Sequence, residues 1–141
     1  MILLQHEQYK DLLGYALKEV PNEACGMLGG AIAGSTKTVA KVYLLTNTDH
    51  SPEHFSMDPQ EQFAAVKDMR ENGWVLLGNW HSHPATPSRP SEEDRRLAFD
   101  PAASYLILSL MAPAEPVLKS FYLRAGLLEE EAIVYPMANR H

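Results

Sequence analysis

The run Trp74-Val75-Leu76-Leu77-Gly78-Asn79-Trp80 leads straight into His81-Ser82-His83-Pro84, and no other stretch narrows the options for this chain as much. A segment that is apolar on both faces reads as a strand inside a sheet. Pro84 cannot donate to a ladder, so the strand is expected to stop beside it and give way to a loop carrying Pro87 and Pro90. Side chains alternate along a strand with a period of two, which sets His81 and His83 on one face, where a single cation can bridge them. Ser91 then opens a helix, and Asp94 in its first turn can swing a carboxylate back toward the imidazoles. Three protein ligands with an open fourth position are the mark of catalytic zinc, which brings the pKa of its water to about 7. Ser91 and Asp94 also read as an ordinary capping box, with the acid in the positive first turn of the helix. The two readings hold together, because capping geometry fixes where Asp94 points.

His81-Ser82-His83-Pro84, six residues, Ser91, two residues and Asp94 resembles the signature of the JAMM (MPN-plus) zinc metallopeptidases, in the form of their small stand-alone prokaryotic members. That signature needs an upstream glutamate, and Glu23 in Pro21-Asn22-Glu23-Ala24-Cys25-Gly26-Met27-Leu28-Gly29-Gly30 stands in a similar context. The resemblance spans most of the chain, including Asn47 to Pro59. It implies Zn2+ as cofactor, with His81, His83 and Asp94 as its ligands. It further implies Glu23 as general base and Ser91 as stabiliser of the tetrahedral intermediate. The implied fold is an α/β domain like that of the cytidine deaminases, with a mixed, mostly antiparallel sheet flanked by helices. A deaminase itself is excluded by chemistry: it needs His-x-Glu and a downstream Pro-Cys-x-x-Cys, and Cys25 is the only cysteine. The implied reaction is hydrolysis of a peptide or isopeptide bond after the C-terminal Gly-Gly of a ubiquitin-like or sulfur-carrier protein. A catalytically silent MPN interaction module and a zinc hydrolase of a small-molecule amide are the alternatives. Folds of this kind often dimerise, so a homodimer is among the states the resemblance allows.

A chain of 141 residues has the size of one domain, and residues 1–141 are read as one. The formal charge of -6, with 12 Lys and Arg, argues against a surface that tracks nucleic acid. One cysteine allows no intrachain disulfide and no Cys-rich zinc module. Cys25 reads as a small buried thiol, with a fourth zinc ligand as the other use. The start, Met1-Ile2-Leu3-Leu4-Gln5-His6-Glu7, has neither a basic opening nor a long apolar core, and no run approaches the roughly 20 apolar residues of a membrane span. A cytoplasmic protein with no membrane partner is the expectation.

Along the chain, Tyr9, Leu12, Leu13, Ala16, Leu17 and Val20 form one helical stripe ended by Pro21. An extended segment from Glu23 to about Ile32 turns at Gly34-Ser35 into an antiparallel strand, Thr36 to Thr46. The polar loop holding His50 and His54 contains Pro52, so it is read as a solvated loop whose functional use is lining a cleft. Asp58-Pro59-Gln60-Glu61 starts a helix with a cap, an N1 proline and a capping-box glutamate, and Asn72-Gly73 ends it. A helix from Ser91 to about Phe99, a buried strand from Ser104 to Met111, and two strands from Val117 to Leu123 and Leu127 to Tyr135 complete the pattern. Arg95 and Arg96 read as solvated residues, and Glu129 and Glu131 as a solvent-facing acidic row.

Overall fold

The computed structural model describes residues 1–136 of the 141. Its elements in chain order are β1 (Ile2–Leu3), α1 (His6–Glu19), β2 (Cys25–Ala33), β3 (Thr36–Leu45), α2 (Pro59–Glu71), β4 (Val75–His83), α3 (Glu92–Leu97), β5 (Ser104–Ser109), β6 (Val117–Arg124), β7 (Leu127–Glu131) and β8 (Ile133–Val134). The strands form one sheet in the order β7-β6-β5-β4-β2-β3-β1-β8. The β2/β3, β2/β4, β5/β6 and β6/β7 pairs are antiparallel, whereas β4/β5, β1/β3 and β1/β8 are parallel. This is the mixed, mostly antiparallel α/β architecture expected from the sequence.

Alternation along β2 assigns one helix to each face of the sheet. Leu28 joins Leu12, Ala16, Leu77, Trp80, Leu106 and Leu108 in the core under α1. Its neighbour Met27 joins Tyr43, Leu45, Ala65 and Met69 under α2. Trp80 is fully buried, and its indole N–H reaches the Tyr43 carbonyl at 3.1 Å across Gly26. A Cβ at Gly26 would lie 1.8 Å from that carbonyl oxygen and 2.3 Å from the indole nitrogen, so only glycine fits there.

Five local expectations are corrected. The α1 stripe is narrower than its periodicity, since Leu12 and Ala16 are buried but Leu17 and Val20 are exposed. Within β4, Val75 and Leu76 are exposed: β5 joins the ladder only at Gly78, so the first residues of β4 pair with β2 alone. Glu61 does not close a capping box, because its carboxylate accepts from the Thr46 N–H at 2.6 Å and the Thr46 hydroxyl at 2.8 Å, tying the end of β3 to α2. The last strand breaks at Ala132 into β7 and β8, which stand at opposite edges of the sheet. One residue cannot span an open eight-stranded sheet, so the sheet curls until its edges meet. There, Glu131 points inward instead of joining an acidic row: its carboxylate accepts from the Ser104 and Ser120 hydroxyls at 2.6 and 2.7 Å, with its side chain 11% exposed.

Candidate metal centre

At the end of β4, His81 is paired on both sides, with Cys25 in β2 and Ile107 in β5, and His83 is paired with Ser109 in β5. That makes the strand end a stiff platform. Between them Ser82 turns to the other face, where its hydroxyl accepts from the Ala24 N–H at 2.8 Å and fastens β4 to the segment carrying Glu23. Ser91 caps the six-residue α3. Its Oγ accepts from the Asp94 N–H at 3.0 Å, and Asp94 Oδ2 accepts from the Ser91 N–H at 2.9 Å. This closed box aims the carboxylate at the two imidazoles.

The three side chains converge on a point. His81 Nε2 and His83 Nε2 are 3.2 Å apart, and Asp94 Oδ2 lies 3.2 Å from the first and 3.1 Å from the second. Two ligands at the usual zinc distance of about 2.0–2.1 Å, placed at tetrahedral angles, stand roughly 3.3 Å apart. The observed triangle therefore matches one face of a zinc tetrahedron, and among the described residues no fourth His, Cys, Asp or Glu joins the group. The donor set agrees. The Pro87 carbonyl, 2.9 Å from His83 Nδ1, can only accept, so Nδ1 carries the proton and Nε2 offers a lone pair. Two imidazole nitrogens and a carboxylate oxygen converging this closely are a donor set that suits a cation.

The protonation preferences express the same demand. Burial alone would raise the Asp94 carboxyl, but the imidazoles of His81 and His83 and the Ser91 N–H overcome it and hold the group well below the usual carboxylate range. Burial lowers His81 below the ordinary imidazole value. It also acts against His83, where Asp94, the Pro87 carbonyl and Glu23 outweigh it and raise the proton affinity. A metal ion binding here would compete with protons for these nitrogens.

Glu23 is buried just ahead of β2. The loop between β3 and α2 holds its backbone at both ends: its N–H donates to the Ser51 carbonyl at 2.8 Å, and its carbonyl accepts from Asn47 Nδ2 at 3.0 Å. Burial, with Asp94 and Glu93 adding to it, pushes the Glu23 carboxyl up to about 8 against the opposing pull of His83 and His54. Glu23, His83 and Ser91 line one groove, whose rim carries His54, Glu93 and Arg96. His54 contacts the Glu93 carboxylate across that rim and is raised by it. His54 therefore lines the cleft, whereas His50 is exposed and outside it. Cys25 is buried with its thiol 3.9 Å from the Leu45 carbonyl, and among the described residues the close group of ligand atoms comprises His81, His83 and Asp94 without it.

Asn47 and Phe55 had drawn no attention in the sequence beyond belonging to the Asn47 to Pro59 segment. Asn47 is a buried hub of the loop that holds Glu23, and the Phe55 ring stacks on His81 at 4.7 Å. Neither has a spacing signal, since both reach the centre only through the tertiary fold. No helix among the described residues is long and apolar enough to cross a membrane.

Comparison with known proteins gives a consistent result. Residues 6–124 match the family model described as prokaryotic homologs of the JAB domain. The CysO-cysteine peptidase of Mycobacterium tuberculosis is 29% identical over 133 residues, 94% of this chain and 90% of that protein. The desampylase of Haloferax volcanii is 32% identical over 95 residues, 67% of each chain. Among solved structures, protein DSY2949 from Desulfitobacterium hafniense superimposes with a TM-score of 0.90 at 57% identity, covering 98% of this chain and 94% of the other.

Proposed function

The chain belongs to the family of prokaryotic homologs of the JAB domain, and from that premise we propose that it is a zinc-dependent peptidase cleaving after the C-terminal Gly-Gly of a ubiquitin-like or sulfur-carrier protein. The observation that carries this reading is the triangle of His81 Nε2, His83 Nε2 and Asp94 Oδ2 beside a groove that also holds Glu23 and Ser91. The named activities of the relatives, a CysO-cysteine peptidase and a desampylase, support the substrate class.

His81, His83 and Asp94 would hold the zinc, which supplies Lewis acidity that acidifies water and polarises a carbonyl. Glu23 takes a proton from the attacking water and delivers it to the leaving nitrogen. Burial raises its proton affinity in the metal-free chain, and a neighbouring dication would draw it back down, which suits a group that must both accept and return a proton. Ser91 accepts from the Asp94 N–H through Oγ, which leaves its own O–H to donate to the carbonyl oxygen as negative charge builds there. An extended Gly-Gly tail suits the groove, because without side chains it brings its backbone close to the walls. A groove with an exposed rim at His54, Glu92 and Arg96 favours such a tail over a small amide that needs enclosure. Localisation in the cytoplasm accords with sulfur-carrier substrates and belongs to the same proposal.

The test is intact-mass spectrometry of ubiquitin-like carriers whose Gly-Gly is extended by cysteine or by a lysine-linked peptide. Each is incubated with the zinc-loaded protein and with its Glu23→Gln variant. The reading predicts cleavage after the second glycine by the parent alone. Stoichiometric zinc with every carrier left intact would overturn it in favour of a silent interaction module or a small-amide hydrolase.

A further inference from the structure

Resting on the metal reading of the centre, we propose that Phe55 is a positioning residue that holds the His81 imidazole in its ligating orientation. A ligating histidine is normally oriented through its second ring nitrogen, which donates to a carbonyl or carboxylate. His83 follows that rule through Pro87. His81 does not: its Nδ1 is buried and has no hydrogen-bond partner among the described residues. Rotation about the bond to an imidazole ring is broad, with two roughly equivalent wells, so without a polar tether something else must select the ring plane. The Phe55 ring lies against that of His81 with centroids 4.7 Å apart and planes 25° from parallel, an offset stack. Phe55 also lines, with His81, Asp94, Tyr105, Ile107 and Leu128, a small, mostly apolar cavity. On its Nδ1 side the imidazole is thus held by packing, while Nε2 faces Asp94 and His83.

Phe55 is fixed from both sides by one side chain. Asn47 donates to the His54 carbonyl at 2.9 Å and accepts from the Ser56 N–H at 3.1 Å, which are the residues flanking Phe55. Its other two bonds go to the Glu23 carbonyl at 3.0 Å and from the Asp49 N–H at 3.0 Å, so the amide is fully used. One loop therefore sets both the position of Glu23 and the plane of His81, although it contributes no ligand.

Zinc affinity is measured by chelator competition for the parent, Phe55→Leu, Phe55→Met, Phe55→Tyr and Asp94→Ala, and the visible spectrum of each is recorded with cobalt in place of zinc. Circular dichroism confirms the fold, with Phe55→Met serving if Phe55→Leu does not fold. The aliphatic variants should bind zinc about threefold to tenfold more weakly, the worth of one aromatic stack, and show an altered cobalt spectrum. Phe55→Tyr should keep the parent's affinity and spectrum, which a purely space-filling role does not require. An aliphatic variant that binds as tightly as the parent, or a tyrosine variant as weak as leucine, would overturn the role of Phe55 while Asp94→Ala still loses zinc. A parent that binds no zinc would overturn the metal reading together with this inference.

Discussion

The strands β4 and β5 carry a buried polar cluster at each end, and the two clusters are built on opposite principles. Where β4 and β5 first pair, at Gly78 and Ser104, the polar groups are matched: Glu131 accepts from Ser104 and Ser120, and Lys37 Nζ donates to the Leu77 and Ala102 carbonyls and to Ser104 Oγ at 2.8–3.2 Å. At the other end three ligand atoms face one another, His81 Nδ1 has no partner among the described residues, and Glu23 is buried with a carboxyl pushed up to about 8. Burying polar groups is costly unless they are paired, so a closed network reads as structure. An arrangement left short of a cation reads as a site.

The sharpest way to break this contrast is to remove one member from each end. Asp94→Ala should abolish stoichiometric zinc binding, and hydrolysis with it, in a metal analysis paired with a cleavage assay. If Asp94→Ala kept its zinc, the triangle would not be the metal centre.

Glu23→Gln should lower the turnover rate by about 10²- to 10⁴-fold while zinc stays bound. The same substitution has an opposite effect on stability. The Glu23 carboxyl holds its proton more tightly in the folded chain, about 8 against an ordinary 4.5, so the metal-free parent loses stability as pH rises through that window. Glutamine does not titrate. Melting of the metal-free variant should therefore exceed that of the parent by a margin that grows up to about pH 8, and equal melting curves at all pH values would contradict the burial argument.

Next in size is Ser91→Ala, expected to cost about 10²- to 10³-fold in rate with zinc retained. It also removes the cap of α3, worth about 1 kcal/mol, so rate and thermal stability should be followed together. The smallest functional effect belongs to the matched end. Glu131→Ala leaves two fully buried serine hydroxyls without their acceptor and should lower stability by about 3 kcal/mol in denaturant titrations, with zinc affinity unchanged. A large loss of zinc in that variant would mean the two ends are coupled.

These two ends were also unequally legible in the sequence. The grouping of His81, His83 and Asp94 follows from strand alternation and from helix capping, both of which act over a few residues. The central strand, the two larger helices and the β2/β3 hairpin were legible for the same local reason. The closure of the sheet was not, because β1 and β8 have two residues each and no period can be read from two residues. Glu131 consequently looked like a surface acid, since alternation tells which residues share a face but not which face a curled sheet turns inward. Asn47 and Phe55 escaped notice because their importance lies in what a loop between β3 and α2 reaches across space.

The most direct measurement is zinc titration by isothermal calorimetry of the metal-free parent, Asp94→Ala and Glu131→Ala at one pH. One zinc per chain is expected for the parent and for Glu131→Ala at equal affinity, and none for Asp94→Ala. Equal zinc binding by the parent and Asp94→Ala would contradict that expectation.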